Sequence, residues 1–172
     1  MFFSISILSM FNGALKIQVL ALAAMMLFSV SSIADTEGAR LLGFWFTEDD
    51  TATVQVYLEG DEYFGRIVAL KEPLYPAGHE SGLEGQPKVD RNNPESGKQA
   101  QSIVGLNMLR NFAYVGNNKW KKGKIYDPSN GKDYDCKITL KVDGTLSVRG
   151  YIGLSLFGRT TIWRRTTAPN DS

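Results

Sequence analysis

Alternation of apolar and polar residues most restricts how this chain can fold, and it is clearest between positions 134 and 149. Side chains that repeat with a period of two share one face of a β-strand. A three-residue loop at 142–144, with Gly144 left-handed, would pair Leu140 with Leu146 and Ile138 with Val148. That register predicts a β-hairpin with one continuous apolar face, formed by Tyr134, Cys136, Ile138, Leu140, Leu146 and Val148.

A second hairpin is predicted around the turn at 59–62, where Leu58 would face Tyr63 and Val54 would face Ile67. No helical periodicity extends over ten residues between 35 and 172. Short strands joined by glycine and asparagine turns are typical of an antiparallel barrel or sandwich. The chain is therefore predicted to be all-β.

The first 34 residues have the pattern of a cleavable secretory signal. An uncharged run from Ile17 to Val30 follows Lys16, and small residues at 32 and 34 precede Asp35, as a signal peptidase requires. The run is shorter than the roughly 20 residues of a membrane-spanning helix. We therefore expect a periplasmic or secreted product, residues 35–172, with no stable membrane insertion. Translation could start at Met1 or Met10.

Composition excludes several function classes. Without Lys16 the chain carries 18 basic and 18 acidic residues, so bulk charge does not attract it to nucleic acid. About 138 residues suit one domain. The single cysteine, Cys136, allows no internal disulfide, and its place in the alternating pattern predicts a small buried side chain. The oligomeric state stays open.

A long polar loop is expected at about 71–101, which contains four of the six prolines. Such a loop is either a binding loop or plain surface. One histidine, His79, and one cysteine predict neither a catalytic triad nor a metal site, and no glycine motif predicts a phosphate-bearing cofactor. Asp90 and Asp127 both lie in turn-like sequence, so a hydrolase that uses loop carboxylates stays an alternative.

Several segments resemble motifs of a bacterial family known as domain of unknown function 2147. They are Gly43-Phe44-Trp45, the stretches 65–68 and 90–94, the stretch from Tyr126 to Tyr134, and that from Arg149 to Arg165. The resemblance runs from Gly43 to Arg165, nearly the whole chain after the predicted leader, and implies a small antiparallel lipocalin-like β-barrel, exported by a Gram-negative bacterium. It implies no activity. Gln99 and Gln101 stand where the family often has basic residues.

The resemblance also implies structural roles at the two ends of the barrel sequence. Lipocalin-like chains open with Gly-x-Trp on the first strand, here Gly43 and Trp45, and an arginine of the last strand packs over the indole. Arg165, on the same strand face as Trp163, is the matching arginine. These residues are expected to close the barrel rather than to act on a ligand.

Our leading interpretation is a barrel that binds a small apolar or amphipathic molecule. The hydroxyl group of Tyr134 would orient a polar head group, and the open end would lie near Gly150 and Gly153. The predicted ligand-binding residues are Tyr134, Ile138, Leu140 and Val148, with Tyr126 and Asp127 as further candidates. Two alternatives stay open: a periplasmic hydrolase with loop carboxylates, and a protein-interaction module with a packed barrel.

Overall fold

The computed structural model describes residues 37–79 and 82–169, and the predicted signal segment lies outside them. Eight antiparallel strands close into a barrel in which each strand pairs with the next along the chain and the last pairs with the first. The prediction of an all-β antiparallel barrel is confirmed. The strands are β1 (Gly43–Phe46), β2 (Ala52–Glu59), β3 (Glu62–Leu70), β4 (Asn107–Tyr114), β5 (Lys119–Asp127), β6 (Lys132–Leu140), β7 (Leu146–Tyr151) and β8 (Gly158–Thr166).

The β6–β7 hairpin has the register that the alternation predicts. Ile138 pairs with Val148 and Leu140 with Leu146. The loop closes with a hydrogen bond of 2.8 Å from the Lys141 amide to the Thr145 carbonyl. Gly144 has φ of 81°, which a glycine adopts without steric cost. The one-sided apolar face thus selects the register, because a slip by one residue would turn it to solvent.

The β2–β3 hairpin is also confirmed, with Leu58 opposite Tyr63 and Val54 opposite Ile67. Across β4 and β5 the packing depends on a small residue: a Cβ atom at Gly123 would collide with the ring of Phe112. A bulge lies beside this glycine, between Trp120 and Gly123, where Lys122 has φ of 67°. The bulge and the glycine together admit the phenyl ring to the core.

The loops differ in length at the two ends of the barrel. Short hairpin turns join the strands at one end, which we call the floor, at 60–61, 115–118 and 141–145. Longer connections lie at the other end, the mouth, at 47–51, 71–106, 128–131 and 152–157. We call the connection 71–106 the mouth loop. None of the helical segments among the described residues has the length and hydrophobicity of a membrane-spanning helix.

The floor is closed by packed aromatic side chains and by Arg165. The Trp45 indole nitrogen donates a hydrogen bond of 2.8 Å to the Leu41 carbonyl. The Arg165 guanidinium lies 4.1 Å from the ring centroid of Trp45 and donates to the carbonyl oxygens of Leu42, at 2.9 Å, and of Arg40. Burial, and then the charge of Arg40, lower the pKa of Arg165. Residues 40–42 are thereby held at the barrel end.

Candidate functional site

A cavity of about 1610 Å³ opens at the mouth of the barrel. Its wall is formed by side chains of the mouth-side halves of the strands and of the mouth loop, and its rim by the other mouth connections. The apolar wall residues include Ile67, Leu70, Ile103, Met108, Ile125, Val148 and Trp163. The polar rim residues include Glu48, Asp49, Lys71, Asp127, Asn130, Tyr134 and Arg159. An apolar interior under a polar rim suits an apolar or amphipathic ligand.

The structure brings four of the six predicted ligand-binding residues to this cavity. They are Tyr134, Val148, Tyr126 and Asp127. Ile138 and Leu140 do not line it, because they lie nearer the floor within the packed core, where Ile138 is completely buried. Gly150 lines the cavity, whereas Gly153, the other glycine expected at the open end, lies in the mouth connection 152–157 and does not line it.

The Tyr134 hydroxyl group lies at the rim. It accepts a hydrogen bond of 3.1 Å from the Asn130 side-chain amide. A hydroxyl group that accepts one bond retains its proton for donation to a second partner. The Tyr134 hydroxyl group therefore has a proton free to donate at the rim, and its role in orienting a ligand stays a prediction.

Beside Tyr126, a buried carboxylate fixes the mouth loop against the barrel. Asp90 is 0% exposed and accepts hydrogen bonds from the Tyr126 hydroxyl, 2.9 Å from each carboxylate oxygen, and from the Asn93 amide at 2.7 Å. Burial, together with the bond to Asp90, raises the pKa of Tyr126 to about 12. Among the described residues Asp90 forms no ion pair. The Tyr126 hydroxyl and the Asn93 amide, both neutral donors, thus compensate for the hydration that the carboxylate loses on burial.

The adjoining turn of the mouth loop docks on the β5–β6 connection. The side-chain nitrogen Nδ2 of Asn92 donates to the carbonyl oxygens of Pro128, at 3.1 Å, and of Ser129, at 2.9 Å. Gly131, with φ of 69°, approaches Asn92 so closely that a Cβ atom there would collide with the Asn92 carbonyl. Gln99, one of the departures from the family pattern, donates to the Asn93 carbonyl at 2.9 Å and so braces the same turn.

A family model described as "uncharacterized protein conserved in bacteria (DUF2147)" matches residues 43–165. The chain belongs to the DUF2147 family. Its structure is similar to that of protein HP1028 from the human pathogen Helicobacter pylori, which belongs to the lipocalin family. The TM-score is 0.61 at 21% identity, over 74% of this chain and 83% of that one. This likeness shows the lipocalin-like fold, as predicted. No curated protein matches the chain in sequence.

In this DUF2147 barrel the two loop carboxylates considered for hydrolysis are engaged in turns and docking contacts. One Asp127 oxygen accepts bonds from the Ser129 amide, at 2.9 Å, and hydroxyl, at 2.6 Å, and the other accepts one from Asn130 at 2.9 Å. Asp90 is sealed from solvent and does not line the cavity. The structure therefore places no pair of exposed carboxylates from these positions across a cleft.

Potential metal ligands do not cluster within the part of the chain that the structure describes. Across residues 37–79 and 82–169, no three histidine, cysteine or acidic side chains gather as a metal site would require. The His79 ring lies at the cavity wall, 4.7 Å from the Tyr75 ring centroid to centroid. What the site offers is apolar surface, a rim of hydrogen-bonding groups and paired charges, such as Arg159 with Glu48 at 2.9 Å.

Proposed function

We propose that the protein binds a small apolar or amphipathic molecule in the cavity at the barrel mouth. The observation that carries this proposal is the position of the cavity, which has an apolar wall above a closed floor and a polar rim at its opening. Removal of apolar ligand surface from water contributes about 25 cal/mol per Å². A polar head group would stay at the rim, near Tyr134 and Arg159.

The size of the cavity supports a ligand larger than a simple metabolite. Its volume of about 1610 Å³ includes the open mouth. Ligand pockets commonly measure about 300–1,000 Å³. An elongated apolar chain, or a fused ring system with a polar substituent, fits such a space with its polar end in water.

A titration with the environment-sensitive dye anilinonaphthalene sulfonate tests the proposal. The blocking variant is Gly150→Trp, because a Cβ atom there lies 3.3 Å from Ile125 and 3.6 Å from Tyr134, both of which line the cavity. The matched control is Gly97→Trp, at a glycine with open space around it. We expect the parent and the control to bind the dye with saturable, one-to-one stoichiometry, and Gly150→Trp to bind at least about tenfold more weakly, a loss of about 1.4 kcal/mol.

Thermal melting of both variants separates blocking from unfolding. A Gly150→Trp protein that melts like the parent and still binds the dye equally well contradicts the proposal, as does a parent protein without saturable binding. Native mass spectrometry of protein purified from its own cells would then identify the mass of any co-purifying ligand.

We further propose that the protein acts outside the cytoplasm, in the periplasm or as a secreted protein. The support is the leader pattern of the sequence, with its uncharged run and the small residues before Asp35. Mass analysis of the protein from its producing cells should find Asp35 at the N-terminus. A released protein that still contains Met25 and Met26 would contradict this proposal.

A further inference from the structure

The connection between β7 and β8 exposes an unusual amount of apolar surface at the mouth. We call residues 152–157 the β7–β8 loop. Four of its six residues are large and apolar, and their exposed fractions are 66% for Ile152, 71% for Leu154, 78% for Leu156 and 73% for Phe157. Single exposed apolar residues are normal, but four in one loop mark a contact surface.

The backbone of this loop is held by hydrogen bonds. Arg149 donates from Nε to the Ser155 carbonyl at 2.8 Å and from Nη2 to the Leu156 carbonyl at 3.0 Å. The Phe157 amide donates to the Leu154 carbonyl at 3.0 Å. The fold thus satisfies the polar backbone of the loop while its apolar side chains stay in water.

Two cations lie against the loop without a carboxylate partner among the ion pairs of the described residues. Of the four arginines in the β7–β8 hairpin, Arg165 lies at the floor. Arg159 and Arg164 are paired with Glu48 and Asp50 of the connection 47–51. Arg149 lies directly beneath the loop. From the neighbouring strand, Lys137 reaches the Ser155 hydroxyl at 3.4 Å. Apolar side chains flanked by cations are the pattern of a segment that lies in the headgroup region of an anionic bilayer.

We propose that the β7–β8 loop docks the protein on a bilayer that contains anionic phospholipids. Leu154 and its apolar neighbours would enter the boundary between headgroups and acyl chains, and the nearby cations would face lipid phosphates. A second protein molecule is the weaker occupant, since a protruding loop offers little area compared with the roughly 800 Å² per partner of a stable interface.

This inference goes beyond the proposed function, because docking on a bilayer does not require a ligand in the cavity. The two nevertheless share a surface: Ile152, Leu156 and Phe157 also line the cavity. An apolar path therefore leads from the exposed loop into the barrel. An amphipathic molecule could move along it without crossing water.

Vesicle sedimentation tests the docking. The probes are vesicles of equal parts phosphatidylcholine and phosphatidylglycerol, and vesicles of phosphatidylcholine alone. The variant is Leu154→Glu, at a residue that does not line the cavity. The control is Val142→Glu, at a fully exposed residue of the floor-side turn at 141–145. All proteins are purified from cells and checked by mass analysis to share one N-terminus, so the leader cannot account for a difference.

We expect the parent and Val142→Glu to sediment with the anionic vesicles and Leu154→Glu to bind at least about tenfold more weakly. Dye titration in solution should give the same affinity for all three, which separates failure of docking from failure of the proposed function. Equal sedimentation of the two glutamate variants, or no sedimentation of the parent, overturns the proposal.

Tryptophan fluorescence supplies an independent measurement. The three native tryptophans, Trp45, Trp120 and Trp163, are all buried. A tryptophan introduced by Leu154→Trp would be the only exposed one. We expect its emission to shift to shorter wavelength with anionic vesicles, and that of Val142→Trp to stay unchanged. An emission wavelength of Leu154→Trp that does not change with anionic vesicles would overturn the proposal. So would a parent dimer that dissociates on Leu154→Glu substitution and binds no vesicles, because the loop would then contact a second protein molecule.

Discussion

Replacement of Tyr126 by Phe isolates the contribution of the bond between the mouth loop and the barrel. The change removes one hydroxyl group and leaves the ring in place, so any cavity term is small. It deprives the fully buried Asp90 of a donor 2.9 Å from both carboxylate oxygens and leaves Asn93 as its remaining side-chain donor. Loss of a hydrogen bond to a charged group costs about 1.5–3 kcal/mol. We expect the free energy of unfolding to fall by about that amount.

Urea unfolding and thermal melting measure the effect, and a fall in the melting midpoint of roughly 5–15 °C corresponds to it in a domain of this size. Tyr134→Phe is the matched control, because that hydroxyl group lies at the rim and accepts a bond from exposed Asn130. It should change stability by less than about 0.5 kcal/mol.

A double-mutant cycle with Asp90→Asn attributes the loss to the pair. The second substitution should cost less in the Tyr126→Phe background than in the parent, with a coupling energy of about 0.5–3 kcal/mol. Equal stability of the two phenylalanine variants, or additive effects in the cycle, would refute the role that we assign to this bond.

Three further predictions concern the core and the alkaline limit of stability. Trp45→Ala should lower the free energy of unfolding by about 3–5 kcal/mol and Arg165→Ala by about 0.5–2 kcal/mol. Thermal melts measure both effects, and unchanged midpoints would mean that these residues do not close the floor. Ile138→Trp should destabilise the packed core by about 1–3 kcal/mol while dye affinity stays unchanged; a loss of dye binding without destabilisation would mean that the cavity reaches this depth. Because the folded state raises the pKa of Tyr126 to about 12, above an unfolded value of about 10, this residue stabilises the fold below pH 10 and loses that contribution as the pH rises through 12. Alkaline denaturation of the parent should therefore show a loss of stability that Tyr126→Phe lacks, and parallel curves would count against it.

The strand registers could be predicted from the sequence, because the apolar face of a hairpin tolerates one alignment. The pairs Ile138 with Val148 and Val54 with Ile67 follow from that rule. The depth of a residue within the barrel could not be predicted from the sequence. Alternation separates inward from outward side chains, but it does not distinguish mouth from floor. This is why Ile138, predicted to contact a ligand, lies in packed core, while Tyr134 on the same strand face lines the cavity.

Sequence patterns did not predict the contacts of the mouth loop either. Asp90 and Tyr126 are 36 positions apart, and neither belongs to a periodic pattern that the other shares. A carboxylate in a turn-like stretch is usually solvated, so its complete burial had no local signal. The family motifs at 90–94 and 126–134 did include both residues. The structure shows that these two motifs meet.

The rate at which the Cys136 thiol reacts measures how often the core opens. Cys136 is the chain's single cysteine, 1% exposed on β6 between Gly123 and Gly150 of the adjoining strands, and burial raises its pKa to about 12. Thiol reagents attack the thiolate, so the sulfur reacts only when an opening of the core exposes it. The rate of its modification therefore measures these openings without an added label. A molecule held in the barrel would make them rarer in proportion to its occupancy, so the same thiol would register a ligand that has no colour or fluorescence of its own.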